Sequence, residues 1–199
     1  MARLEWMSRM RRTFIAIMPG EAMRNILEAV ISRGRAAAPD LRWVPSAHVH
    51  ITLAFLGSLD DAQVEAACMA AVSVASTVAP FTLRLGQAGS FGRAGAPRTV
   101  WIAPDGDTVR LTTLHARLSV ALRAANLGAD SDHFSPHLTV ARVPSVMSPD
   151  VLHQVLAALT QPPGMPPATT HVRSIHVLES TQTPGGTRYG VLRTCPLGA

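Results

Sequence analysis

Two short stretches of the chain place a threonine two positions after a histidine: His50-Ile51-Thr52-Leu53 and His137-Leu138-Thr139-Val140. Each lies in an apolar run of strand character, residues 47–57 for the first and about 134–141 for the second. Side chains alternate between the two faces of a strand. The alternation predicts that His50 and Thr52 share a face, with Ile51, Leu53 and Phe55 on the other; His137 and Thr139 share a face, with Leu138 and Val140 opposite. Each strand can bury its apolar face and present an imidazole and a hydroxyl. An imidazole with a pKa near 6.5 donates or accepts a proton close to neutrality. Two of them on opposite sides of one phosphorus suit hydrolysis of a cyclic phosphodiester. There, water must lose a proton as it attacks and a ribose oxygen must gain one as it leaves. The threonine hydroxyls can bond the non-bridging oxygens, and an arginine can offset developing charge. Arg142 is the nearest candidate. It lies five positions after His137, so ideal alternation points it to the wrong face, and a bulge or twist has to bring it round.

The surrounding pattern supplies elements to hold these strands. Residues 13–18 read as a strand, and Pro19 ends it. Met23, Ile26, Leu27, Val30 and Ile31 recur at helical spacing, with Gly34 as the expected stop. After the first histidine strand, Ser58 and Asp61 suggest a capping box for a helix carrying Val64, Ala67, Cys68, Ala71 and Val72. Phe81, Leu83 and Leu85 mark a half-buried strand. The glycine-rich segment 86–97 is expected to be a flexible connection to another strand from Arg98 to Ala103. A second cycle follows: a helix through Leu111, Leu114, Leu118 and Leu122, the second histidine strand, and a helix begun by Ser148-Pro149-Asp150. Residues 161–170 read as an irregular loop, and 171–179 and 187–193 as a closing hairpin around 184–186. The order strand, helix, histidine strand, helix, strand, strand thus occurs twice, with the middle strand shared. Arg12-Thr13-Phe14-Ile15-Ala16 echoes Arg98-Thr99-Val100-Trp101-Ile102-Ala103 with one insertion, at nearly the same distance before each histidine. An internal duplication predicts an α+β fold of two similar lobes facing a groove, with one histidine strand in each and helices outside. Residues 1–10 are expected to be a flexible extension, and 11–199 a single bilobal domain with internal duplication.

Composition narrows the partner. The 199-residue chain carries a formal charge of +5, and all 18 of its basic residues are arginine. GC-rich coding alone produces arginine and alanine enrichment, while guanidinium forks also suit phosphate. No run approaches the roughly 18 uninterrupted apolar residues of a membrane span, and the N-terminus lacks the apolar core of a signal peptide. A cytoplasmic location is expected. Cys68 and Cys195 form no recognisable framework and are expected as reduced thiols.

These motifs resemble the 2H phosphoesterase superfamily, and within it the RNA 2′,3′-cyclic phosphodiesterase, or 2′-5′ RNA ligase-like, branch. The resemblance is carried by residues 12–17, Trp43-Val44, His50 to Gly57, Phe91-Gly92, Phe134 to Arg142, and the late Glu179-Ser180, Gly186 and Tyr189. It spans nearly all of the chain after Met10. It implies a bilobal, pseudo-symmetric fold with two antiparallel sheets around a central cleft, no metal or other cofactor, and RNA ending in a 2′,3′-cyclic phosphate as the partner. By the same resemblance His50 is the proton donor to the leaving 3′ oxygen and His137 the proton acceptor that activates water. Thr52, Thr139 and Arg142 bind the phosphate, and Phe14 lies near the cleft where it can meet a base. Val140 departs mildly from the family, which often has leucine there.

Other readings share some of these residues. His48 lies on the face of His50, and His133 near His137, so either pair begins a metal site. Only Asp130 and Asp132 are at hand to extend it, and threonine has no role there. The fold could also serve a non-catalytic RNA-binding module, although both histidines and both threonines are retained. A 2H enzyme acting on a 2′-5′ linkage or a nucleotide cyclic phosphate is the remaining alternative.

Overall fold

In a computed structural model, residues 9–93, 95–128, 134–144, 146–160, 167–184 and 186–198 are described. The strands are β1 (Arg11–Ile17), β2 (Arg42–Trp43), β3 (Ile51–Leu59), β4 (Phe81–Arg93), β5 (Ala96–Gly106), β6 (Leu138–Arg142), β7 (Thr169–Val172), β8 (Ser174–Thr183) and β9 (Gly186–Pro196). The helices are α1 (Glu21–Ala37), α2 (Asp61–Ala75), α3 (Thr108–Ala124) and α4 (Pro149–Leu159), with a 3₁₀ turn at Ser46–His48. The strands run β7-β4-β5-β6-β3-β1-β8-β9, antiparallel throughout, with β2 paired to β6. The α+β class and the two antiparallel halves agree with the sequence. The halves, β9-β8-β1-β3 and β7-β4-β5-β6, join through the single residue pair Ile51↔Leu138, so the two sheets form one continuous curled sheet.

Helices cover the convex side. α2 and α3 pack behind β1, β3, β8 and β9, whereas α1 and α4 pack with β4 and β7. Each half is therefore assembled from both ends of the chain. β1 belongs to one half and its following helix to the other; β5 and α3 repeat this in the opposite sense. The core lies between helices and sheet. Ile15, Leu27, Ile31, Leu83, Leu111, Leu114, Leu118 and Leu138 are completely buried in it. Burying a side chain of this kind contributes about 1.5–3 kcal/mol. Ile51 and Leu138 point into this core at the crossing, which anchors the junction beneath the histidines.

Several local expectations are corrected. The glycine-rich segment is strand, continuing β4 into a long hairpin with β5. Its glycines make room: a Cβ on Gly89 would come within 2.4 Å of the Trp101 ring, which lies across it. Gly34 does not stop α1, which continues to Ala37. It lies under the Trp43 ring, where a Cβ would approach to 2.4 Å, and the Trp43 indole donates to the Ala38 carbonyl at 2.9 Å. The capping box of α2 uses Asp60 and Gln63, not Ser58 and Asp61. Ser148 caps α4 as expected, accepting from the Val151 N–H. Residues 171–179 divide at Arg173: β7 leaves to pair with β4, and β8 forms the hairpin with β9. β2, at two residues, is too short to show periodicity in the sequence.

Candidate active site

Both histidines stand one residue before their strands, so the second histidine strand begins later than expected, at Leu138. Both still line the same cleft as Thr52 and Thr139, as a register carried one residue back from each strand requires. In the antiparallel pairing, Ile51↔Leu138 places position 50 across from 139 and position 52 across from 137. The four side chains stand at the corners of a quadrilateral on the concave face, histidines on one diagonal and threonines on the other. Ile51 and Leu138, at its centre, point the opposite way into the core. All four polar residues line one cleft of about 570 Å³, together with Phe14, Arg142, Arg12, Arg42, Phe55 and Tyr189.

The ring orientation is set the same way twice. His50 Nδ1 is 2.7 Å from the His48 carbonyl oxygen, and His137 Nδ1 is 2.8 Å from the Ser135 carbonyl oxygen. A carbonyl oxygen only accepts, so each Nδ1 must carry the hydrogen. Nε2 is then the nitrogen left to exchange a proton with a ligand. It accepts when the ring is neutral and donates when it is cationic. His48 supplies a carbonyl to His50 and packs its own ring edge-on against Tyr189 at 5.4 Å. Ser135, at the matching position of the second motif, performs the same backbone task as His48.

The Arg142 question is settled by a bulge. β6 pairs with β5 as Ile102↔Leu138, Trp101↔Thr139, then Val100↔Ala141 and Thr99↔Arg142. Val140 is the extra residue. Val140 and Ala141 are both buried, and Arg142 turns back to the cleft face. The same irregularity occurs in β3, where Ala16 pairs with Thr52, Ile15 with Ala54 and Phe14 with Phe55, skipping Leu53. Phe55 consequently lies in the cleft at 58 % exposure, not beside Ile51 and Leu53 as simple alternation predicts. A bulge adds one residue to one strand and reverses the alternation beyond it.

The surroundings of the two imidazoles differ. His50 packs against Phe14 with ring centroids 5.0 Å apart and against Tyr189 at 5.2 Å. Burial holds its imidazolium below the usual range; the His48 carbonyl opposes this, and nearby His137 and His48 reinforce it. His137 meets the edge of Phe91 at 4.8 Å, and Phe91 in turn packs on Trp101 at 5.0 Å. The Trp101 indole N–H is buried without a hydrogen-bond partner among the described residues. Phe14 is almost wholly buried, at 3 % exposure, so it serves first as a wall for His50. Residues not singled out for the cleft from the sequence are Arg42, Phe55, Ser180, Gln182 and Thr187. Phe55 was hidden by the bulge that reverses its face, Arg42 by a strand only two residues long, and the β8–β9 residues by a hairpin whose pairing has no local signature.

Of the metal alternatives, His48 and His50 are close, but their half of a site acquires no third ligand: no group of three His, Cys, Asp or Glu side chains with that arrangement occurs among the described residues. His133, Asp130 and Asp132 lie outside them. Cys68 and Cys195 are buried free thiols, and burial pushes the Cys195 thiol up to about 11. No helix among the described residues is long and apolar enough to cross a membrane.

A curled antiparallel sheet with two His-x-Thr strands meeting at its centre defines the 2H phosphoesterase class of α+β fold. Residues 23–184 match the family model for the 2′-5′ RNA ligase superfamily, and the chain belongs to that superfamily. It is 29 % identical over 188 residues to an RNA 2′,3′-cyclic phosphodiesterase of Thermotoga maritima, covering 92 % of this chain and 94 % of the relative. A Geobacillus stearothermophilus protein of the same name is 30 % identical over 150 residues; the match covers 74 % of this chain but 48 % of that relative. Among solved structures, Escherichia coli LigT complexed with 3′-AMP superposes with a TM-score of 0.72 at 25 % identity, covering 96 % of this chain and all of LigT (100 %).

Proposed function

We propose that the protein hydrolyses the terminal 2′,3′-cyclic phosphodiester of RNA to a 2′-phosphomonoester, by acid–base catalysis between two histidines. The observation that carries this reading is the His50–Thr52–His137–Thr139 quadrilateral, with both Nδ1 atoms committed to backbone carbonyls and both Nε2 atoms left for substrate. Relatives named for this activity support the substrate class.

In this mechanism the cyclic phosphate sits between the two imidazoles, with its non-bridging oxygens on the Thr52 and Thr139 hydroxyls and Arg142. Neutral His137 Nε2 takes a proton from water as the water oxygen bonds to phosphorus. The bond from phosphorus to the 3′ oxygen breaks on the opposite side, and that oxygen takes the proton from His50 Nε2. The product carries a 2′-phosphate and a 3′-hydroxyl. Burial disfavours the His50 cation in the empty cleft, whereas a bound phosphate anion beside it favours the cation. His50 therefore gains its proton with the substrate. In this reading the two histidines supply acid and base without a metal or cofactor, and the enzyme works in the cytoplasm.

The test is turnover of an oligoribonucleotide ending in a 2′,3′-cyclic phosphate, in the presence of excess chelator. Wild type is expected to convert it fully to 2′-phosphate ends, and His50→Ala and His137→Ala to fail. A 3′-phosphate product would reverse the direction of ring opening and overturn the histidine roles. Tight binding without turnover by wild type would instead mark an RNA-binding module. Turnover only of a 2′-5′ linkage or of a free cyclic nucleotide would move the chain to another substrate of the same chemistry.

A further inference from the structure

The arginines of this chain divide by what holds them. Arg11 is tied to Glu179 at 3.0 Å and Asp61 at 3.1 Å, and Arg84 to Asp105 at 2.8 Å. Arg33 donates to the Ala158 and Thr160 carbonyls, and Arg117 to that of Thr77. Arg42 and Arg142 are the opposite case. They are directly opposed residues of β2 and β6, they share the concave face, and both line the cleft. Neither has a carboxylate or hydrogen-bond partner among the described residues, and no acidic residue lines the cleft with them. Like charges directly across a strand pair are destabilising. The arrangement is relieved when an anion lies between the two guanidinium groups, which offer several N–H donors in planar forks.

The pair is displaced from the histidines. Arg142 follows Thr139 by three residues, which with the Val140 bulge separates their rows by roughly 7–10 Å along the strand. Arg42 stands across from Arg142 in that same row, on the edge of β6 that also pairs with β3. A single phosphate held by Thr52 and Thr139 between the two imidazoles lies a full row away from both arginines and does not by itself account for the pair. The separation instead has the scale of consecutive phosphates on a nucleic-acid strand. In a chain ending in a cyclic phosphate, the next phosphate is the one on the 5′ oxygen of the same nucleoside.

We propose that Arg42, together with Arg142, forms a second phosphate subsite that binds the 5′-phosphate of the terminal nucleotide, so that the enzyme selects RNA ends over isolated nucleosides. This rests on the cyclic-phosphate reading and adds its specificity. Arg142 reaches between the two phosphates, and Arg42 serves the outer one alone.

Two measurements test it. The first compares kcat/KM for a nucleoside 2′,3′-cyclic phosphate with and without a 5′-phosphate. Wild type is expected to prefer the 5′-phosphorylated form by about tenfold or more, as charge-assisted bonds worth about 1.5–3 kcal/mol allow, and Arg42→Ala to bring the ratio within about twofold of one. Arg42→Lys should keep part of the preference, since it retains charge but not the fork. The second compares binding of a nucleoside 3′,5′-bisphosphate with that of a nucleoside 3′-monophosphate, by calorimetry and by shift in Tm. The extra phosphate should strengthen binding in wild type and add little in Arg42→Ala. Without ligand, Arg42→Ala should melt at or above the wild-type temperature, because it removes a like-charge contact; a merely structural arginine would give a lower Tm. Equal preference in wild type, or a preference that survives in Arg42→Ala, would overturn the subsite while leaving the cyclic-phosphate activity standing. Tighter bisphosphate binding through Arg42 with no turnover of either cyclic substrate would have the reverse meaning.

Discussion

His50 and His137 occupy the same place in their strands, yet the cleft residue five positions on is Phe55 in one and Arg142 in the other. Up to that point the two strands are copies. Each histidine precedes its strand by one residue, bonds Nδ1 to the carbonyl two residues back, and is followed by the same bulge. Beyond the bulge, one wall is aromatic, with Phe55 near Phe14 at 6.2 Å and Tyr189 closing around His50. The other is cationic, with Arg142 opposite Arg42 and Thr99 on either side. The duplicated part fixes both Nδ1 atoms on backbone carbonyls and so sets where the two Nε2 atoms stand. The divergent part makes the two ends of the site unlike: an aromatic ring beyond the Thr52–His137 row, and the Arg42–Arg142 pair beyond the His50–Thr139 row. A symmetric substrate would not need this difference; a cyclic phosphodiester attacked on one side and opened on the other does.

The largest effect is expected from removing either member of the shared part. His50→Ala and His137→Ala should each lower kcat by about 10²–10⁴-fold, and the double variant should lose little more than the worse single one, as measured by single-turnover kinetics. Making the two walls alike comes next. Arg142→Phe, which copies the β3 residue, should reduce kcat/KM by about 10²-fold, the scale of one lost transition-state donor. The reciprocal Phe55→Arg should not rescue it, because the new cation would stand beside the wrong histidine. Full rescue by the double exchange would show that the walls are interchangeable and the comparison empty.

A smaller loss is expected at the support of His137. Gly89→Val forces a side chain into the Trp101 ring and through it displaces Phe91 from the His137 edge. Overpacking of this kind costs about 1–3 kcal/mol of stability, and urea unfolding should register it, together with a loss of kcat. The mildest test is by pH. The folded pKa values of His50 and His176 are lowered by burial, so the unfolded chain binds more protons as pH falls below about 6.5. The stability is fully present above that value and declines as pH drops through the folded values. Tm should fall by a few degrees on acidification in that range, and less steeply in His50→Gln. In the same protein, an NMR titration should find His50 protonating below the ordinary imidazole value when the cleft is empty and moving upward on addition of a nucleoside 2′-monophosphate.

The amino-acid sequence by itself determined the recurring plan: two His-x-Thr strands, each between helices, with apolar residues on the core side and a second set of elements matching the first. Residue type and local periodicity are enough for that, because Ile51 and Leu138 must be buried wherever the strands go. It did not determine which strand pairs with which. β4 and β8 each cross to the half begun by the other copy, and the segment 171–179 divides between halves. Pairing is a long-range choice with no local signature. Nor could strict alternation place Phe55 or Arg142. A bulge is created by a mismatch between two paired strands, and either strand read alone lacks the information. The tertiary structure decided those two residues, the opposition of Arg42 to Arg142 across a two-residue strand, and the diagonal that sets His50 and His137 in one cleft. Each of these depends on the register between strands distant in the chain, which only the packed sheet specifies.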